Sequence, residues 1–175
     1  RAVLSSPPTV IPRWEHPLAS CLTRGVDTPS ASELSACRFL HGLEWRHLEA
    51  MAACALRASF PADDLLFRSG DPANRFYIVR SGAVLLLAER PGHAPLPIQT
   101  LGPGDVLGWS WLFPPYTWRF SARTVTDVEA YFFHGAELRD LAAEDTSFAA
   151  AIFPRIAHVM LERLQATRDR LAAMC

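Results

Sequence analysis

A chain of 175 residues with 50% apolar and 20% charged side chains has enough material for one soluble domain with a packed core. Seventeen basic against eighteen acidic residues leave a net charge of −1, so this segment alone has no general pull toward a nucleic-acid backbone. Its longest apolar runs, such as Ala83–Ala88, fall far short of the roughly 20 residues that span a bilayer, so no membrane partner is expected and cytoplasmic placement is the default.

In chain order, residues 1–32 hold Pro7, Pro8, Pro12, Pro17 and Pro29 among many Ser and Thr, which breaks both helix and strand periodicity. They read as an extended arm. Val10, Ile11, Trp14 and Leu18 give that arm apolar anchors for packing along the domain or on a protein partner, a disordered leader being the alternative. Residues 33–175 then form the domain. From Ser32 to Leu56, apolar residues recur at three- and four-residue steps with a break at Gly42, predicting two short helices.

After Pro61 the pattern turns to strands: Leu65–Arg68, Phe76–Arg80, Ala83–Glu89, Pro97–Leu101 and Val125–Phe133, separated by turns rich in Gly, Pro and Asp. Short strands at roughly ten-residue spacing imply an antiparallel roll or barrel. From Thr146 onward the period is helical, with Phe148, Ile152, Ile156, Met160, Arg163, Thr167, Arg170 and Met174 along one stripe, and Pro154 predicts a kink or a restart. The fold class is therefore mainly β with α: an antiparallel, jelly-roll-like β-roll with short N-terminal helices and a long C-terminal helix.

Sites for catalysis or metal binding are not apparent. Cys21, Cys37, Cys54 and Cys175 lack ligand-like spacing, His41, His47, His93, His134 and His158 show no regular metal spacing, and no Ser sits in a Gly-x-Ser-x-Gly elbow. No enzymatic activity is expected.

The run from Leu65 to Val84, with Gly70-Asp71 before an apolar strand and Gly82 after it, resembles the strand–turn–strand hallmark of the cyclic-nucleotide-binding domain of bacterial catabolite activators and kinase regulatory subunits. The resemblance covers residues 38–175. Leu101-Gly102-Pro103-Gly104-Asp105-Val106-Leu107-Gly108 is similar to the lead into that family's phosphate-binding cassette. There, the resemblance implies, backbone N–H groups of a short helix meet the cyclic phosphate, a Glu accepts from the ribose hydroxyl, and an Arg about ten residues on pairs with the phosphate.

This chain departs from the pattern, because Trp109 stands where the Glu is implied. Arg119 has the separation expected of the phosphate partner, but counting back from the last strand puts Thr117 there instead. The candidate ligand-binding residues are Gly108, Trp109, Ser110, Trp111, Thr117, Arg119, Arg163 and Thr167. The last two resemble the base-contacting Arg and polar residue of the family's dimer helix, touching either a bound nucleotide or the opposite protomer. Trp109, Trp111, Phe113, Tyr116 and Trp118 crowd ten residues, and both stacking on a ligand ring and packing of a closed pocket remain open.

The resemblance is to divergent stand-alone bacterial members of the family, and it implies a ligand-sensing or regulatory module for a cyclic nucleotide or related small anion. Two alternatives are the sensor part of a transcription regulator whose DNA-binding domain would follow Cys175, and a pseudo-sensor serving as a dimerisation or scaffold unit. A homodimer through the helix around Ile156–Met174 is expected, with Ile156→Asp splitting the dimer while the roll stays folded.

Overall fold

The computed structural model describes residues 27–172, the side chains of Arg170 and Leu171 excepted. The arm anchors Val10, Ile11, Trp14 and Leu18, with Cys21, Met174 and Cys175, lie outside the described residues. The fold reaches back into the segment assigned to the arm. The Asp27 carbonyl accepts from the Arg57 amide, and Ser30 and Glu33 form a capping box that starts α1 (Ala31–Ser35). Arg57 ties this entry down with ion pairs to Asp27 and Glu33, and its hydrogen bond is the main cause that holds the Glu33 carboxyl at about 2.

A 3-10 turn (Arg38–Leu40) and α2 (Trp45–Ala53) complete the N-terminal helices. Two four-stranded antiparallel sheets follow. One has the order β1-β8-β3-β6, made from Ala55–Phe60, Val128–His134, Arg75–Ser81 and Val106–Leu107; the other has the order β2-β7-β4-β5, made from Leu65–Phe67, Ser121–Thr124, Val84–Arg90 and His93–Leu101. The chain closes with α3 (Gly135–Glu144) and α4 (Thr146–Ala172).

The first sheet divides the interior into two cores. Along β3, Phe76 and Ile78 join the helix-side cluster, while Tyr77 and Val79 face the space between the sheets. β8 does the same, with Tyr131 and Phe133 on one side and Ala130 and Phe132 on the other. A two-residue period with both faces buried gives a nearly continuous apolar run, which is why these two strands are so plain in the sequence. Gly82 is needed where the roll turns back, because a Cβ there would lie 2.1 Å from the Asp127 carbonyl oxygen.

Some sequence expectations need correction. Leu56 belongs to β1, not to a helix: its segment satisfies its backbone along β8, from Ala55 opposite Phe133 to Phe60 opposite Val128. The last strand begins at Val128, since Val125 donates to the Ala83 carbonyl and Thr126 accepts from the Ala83 amide, making residues 125–127 a turn. β7 was missed because it carries Ser121 and Thr124 instead of large apolar residues. Their hydroxyls are fully engaged, Ser121 with Glu89 and the Ser69 amide, Thr124 with the Pro61 carbonyl and the Asp64 amide.

The terminal helix neither restarts at Pro154 nor presents the expected stripe as an outer seam. Phe148, Ile152 and Ile156 are buried in this chain's own core, on both sides of the proline. Anchoring two apolar residues before Pro154 and one after it outweighs a proline cost of about 3 kcal/mol, at roughly 1.5–3 kcal/mol for each buried side chain. Met160 and Thr167, further along the same sequence stripe, are exposed.

Ile156→Asp is therefore expected to unfold the chain instead of splitting a dimer. Burying an unpaired carboxylate among Phe148 and Ile152 should cost roughly 4 kcal/mol or more. A urea melt followed by circular dichroism checks this, and a midpoint equal to that of the unmodified chain would count against it.

Candidate ligand site

β6 ends at Leu107, and the chain then makes a left-handed step at Gly108 with φ 95° before a 3-10 turn over Trp109–Leu112. Glycine is required there twice over. A Cβ would lie 2.6 Å from the Arg75 carbonyl oxygen and 3.1 Å from two ring carbons of Trp118. The return leg of the loop is sewn to the β2–β3 turn by backbone bonds: the Trp118 amide donates to Asp71, the Gly70 amide to Trp118 and the Ala73 amide to Tyr116, with Thr117 bridging Pro72.

Extended backbone alternates its side chains, so this stitching decides which residue faces the roll. It is Trp118. Its indole lies on Phe67 with centroids 3.9 Å apart and planes 14° from parallel, and Phe67 stacks in turn on Tyr77. Thr117 on one side is half-buried and Arg119 on the other is exposed. The residue that meets Gly108 thus falls between the two rivals named from spacing, and the two-residue ambiguity itself was the signal that could have pointed to it. Beside the indole remains a cavity of about 30 Å3, lined by Asp71, Asn74 and Arg75 among others, room for about one water.

Arg75 is a second residue that sequence reasoning passed over, because an Arg at the head of a strand reads as solvated. It is buried, with its guanidinium 6.0 Å from the Phe132 ring centroid.

The cassette's other aromatics go elsewhere. Trp111 is 1% exposed and joins the helix-side core, edge-on to Phe76; its Nε1 has no hydrogen-bond partner among the described residues, while its carbonyl accepts from Arg139. Ser110 is buried beside it. Phe113 and Tyr116 are exposed, and Arg139 lies over the Tyr116 ring at 4.7 Å. Packing thus claims Trp111 and Trp118, while Trp109 is half-buried under α4.

There Arg163 sets its guanidinium 4.2 Å from the Trp109 ring centroid and donates to the Val106 carbonyl. Burial strips this cation of water and pulls its pKa down to about 10, against the opposing pull of Asp105 and Glu162. The apolar stripe left Arg163 in need of a partner, and within this chain the partner is the cassette itself. Thr167, one turn on, is exposed and its hydroxyl returns to the Arg163 carbonyl. The eight candidate residues therefore separate: Gly108 faces the roll, Ser110 and Trp111 the helical core, Trp109 and Arg163 form a latch, and Thr117, Arg119 and Thr167 join neither.

Among known families, the one described as the cyclic nucleotide-binding domain matches residues 57–145. A CRP-like cAMP-activated global transcriptional regulator of Mycobacterium tuberculosis is 27% identical over 139 residues, covering 79% of this chain and 60% of the relative. The chain thus spans about 60% of the length of that curated relative. A Geobacter metallireducens chain described as a cyclic nucleotide-binding protein superposes with a TM-score of 0.71 at 25% identity, over 78% of this chain and 98% of that one. The c-di-GMP responsive global regulator CLP of Xanthomonas campestris does so with a TM-score of 0.65 at 26% identity, over 74% and 63%.

Removing the latch should loosen the helix without loosening the roll. In Arg163→Ala, hydrogen exchange of amides 160–169 is expected to rise about tenfold while β3 and β8 keep their protection, from the loss of one cation–π contact and one charged hydrogen bond. Unchanged protection of that segment would show that the contact carries no weight.

Proposed function

The chain belongs to the cyclic nucleotide-binding domain family, and from that membership we propose that it is a non-catalytic regulatory module whose roll is closed by its own Trp118 and whose output is the docking of α4 on the cassette. The observation that carries this reading is the indole of Trp118 in contact with Gly108, at the position where the family resemblance puts the cyclic phosphate. With the Trp118 indole stacked on Phe67 beside Gly108, a nucleotide reaches that space only if the loop 113–120 swings outward and takes Trp118 with it.

Two residues argue against ordinary cyclic AMP recognition. Trp109 occupies the ribose acceptor position and is held under Arg163, and Arg119 is exposed. Loss of a charged hydrogen bond alone lowers affinity about 10- to 150-fold. The separation of Trp109–Arg163 from the roll interior supports a switch in which any ligand displacing Trp118 also shifts the 3-10 turn beneath α4.

A second copy of the chain is the partner that α4 fits. Phe153, Ala157, Met160 and Leu164 are exposed and spaced at four, three and four residues, the stagger of a two-stranded helical seam. This seam replaces the one drawn through Ile156. A second reading, as the sensor of a transcription regulator, draws on the Mycobacterium tuberculosis relative, which is described as one and extends beyond the matched region. Cytoplasmic placement fits either reading, and among the described residues no helix is long and apolar enough to cross a membrane. Of the Pro-rich segment, the part before Asp27 is the candidate docking segment for a protein partner, since Asp27 to Ala31 join the domain's own fold.

Titration calorimetry with cyclic AMP is expected to show no saturation below about 100 μM. Sub-micromolar binding to the unmodified chain would overturn the closed roll. Leu164→Asp should convert a dimer to a monomer in light scattering while leaving the thermal midpoint of the roll within a few degrees, since Leu164 is 56% exposed and lies outside the core. A monomer before the substitution would remove the seam.

A further inference from the structure

Outside the roll, α4 and the β5–β6 turn enclose a groove of about 700 Å3, within the range of pockets that hold drug-sized ligands. Three arginines line it. Arg38 reaches in from the N-terminal 3-10 turn with its side chain mostly exposed and only a loose 3.7 Å approach to Asp105. Arg155 donates to the carbonyls of Ala151 and His41, and Arg163 to that of Val106; neither has a carboxylate within ion-pair distance among the described residues. His158 lies on the same wall, 3.4 Å from Glu162.

From this arrangement we infer that the groove is a second ligand site, for a phosphate-bearing molecule of nucleotide size. Among the described residues, the lining sets Asp105 and Glu162 against three guanidiniums, a net positive charge even with His158 neutral. Arg163, half-buried and poorly hydrated, gains most from an arriving anion, as its lowered pKa also indicates. Phe39, Val159 and Pro154 supply the apolar surface on which the body of such a ligand lies, and the planar forks of Arg38 and Arg155 suit phosphate oxygens.

The site is independent of the closed roll, and it is compatible with a dimer. At 3.6 residues per turn, Arg155, Val159, Glu162, Arg163 and Ala166 share one face of α4, whereas Phe153, Ala157, Met160 and Leu164 lie on the opposite one. A second copy docked on the seam leaves the groove open. Because Arg163 both lines the groove and rests on Trp109, a bound anion and the cassette compete for the same guanidinium, which couples the groove to the docking of α4.

The test is calorimetry of the full chain with ATP, cyclic di-GMP and inorganic pyrophosphate, paired with backbone amide shifts in nuclear magnetic resonance. At least one nucleotide is expected to saturate, to shift Gly104, Asp105, Val159 and Glu162, and to bind about tenfold or more weakly to Arg38→Glu, which changes an exposed side chain. Saturation by pyrophosphate as well would assign recognition to the phosphates alone. The inference is overturned if no probe saturates by about 1 mM, if Arg38→Glu leaves affinity unchanged, or if the shifts centre on Phe67, Gly108 and Trp118. Only the last of these outcomes also tells against the closed roll, so the two readings fail separately.

Discussion

The contact between Trp118 and Gly108 is the constraint on which the functional part of the molecule depends. A left-handed glycine lets the backbone of the cassette pass within reach of β3, and the indole occupies the space that any side chain at 108 would have taken. The stack on Phe67 and Tyr77 then continues that indole into the core between the sheets. A large flat ring buried in this way contributes both area and stacking, on the order of 0.5–1.5 kcal/mol per aromatic pair beyond burial. Swinging Trp118 out of the roll would forfeit those contacts.

On the outer side of the roll a second contact ties the cassette to the terminal helix. Trp109 is a platform for Arg163, and the cation that the terminal helix half-buries is held by a ring and a carbonyl instead of a carboxylate. Such a partner is weaker and less committed than an ion pair, because neither contact neutralises the charge. The helix is therefore docked firmly through Phe148, Ile152 and Ile156, and more lightly beyond them. Stability graded along one helix is a common requirement of a part that moves.

How legible this was depended on which residues carried the structure. β3 and β8 were plain because both of their faces are buried and the apolar run is unbroken, and the turn at Gly82 was plain because close backbone approach leaves glycine no substitute. β1 and β7 were not: Ala55–Phe60 has helix-forming residues, and Ser121–Thr124 is held by hydroxyl bonds to distant backbone that no local pattern records. In the cassette, spacing located the right stretch but could not choose the inward residue. That choice was made by bonds from residues 116–118 to residues 70–73, contacts across more than forty positions of chain.

The same limit explains why the terminal helix was only half understood from its pattern. A stripe at three- and four-residue steps identifies a helix face, but a helix of 27 residues can turn one face to its own domain and another outward. Ile156 and Met160 sit one turn apart on the sequence stripe, yet the first is 3% exposed and the second 36%. Beyond Ile156 the helix still turns Val159 and Arg163 toward the domain while Met160 points away from it. From there the apolar seam of Phe153, Met160 and Leu164 and the cationic groove of Arg155 and Arg163 divide the helix between two opposite surfaces. One element thus carries an apolar face and a cationic face on opposite sides, and on the second of these Arg163 is also the residue that rests on the cassette.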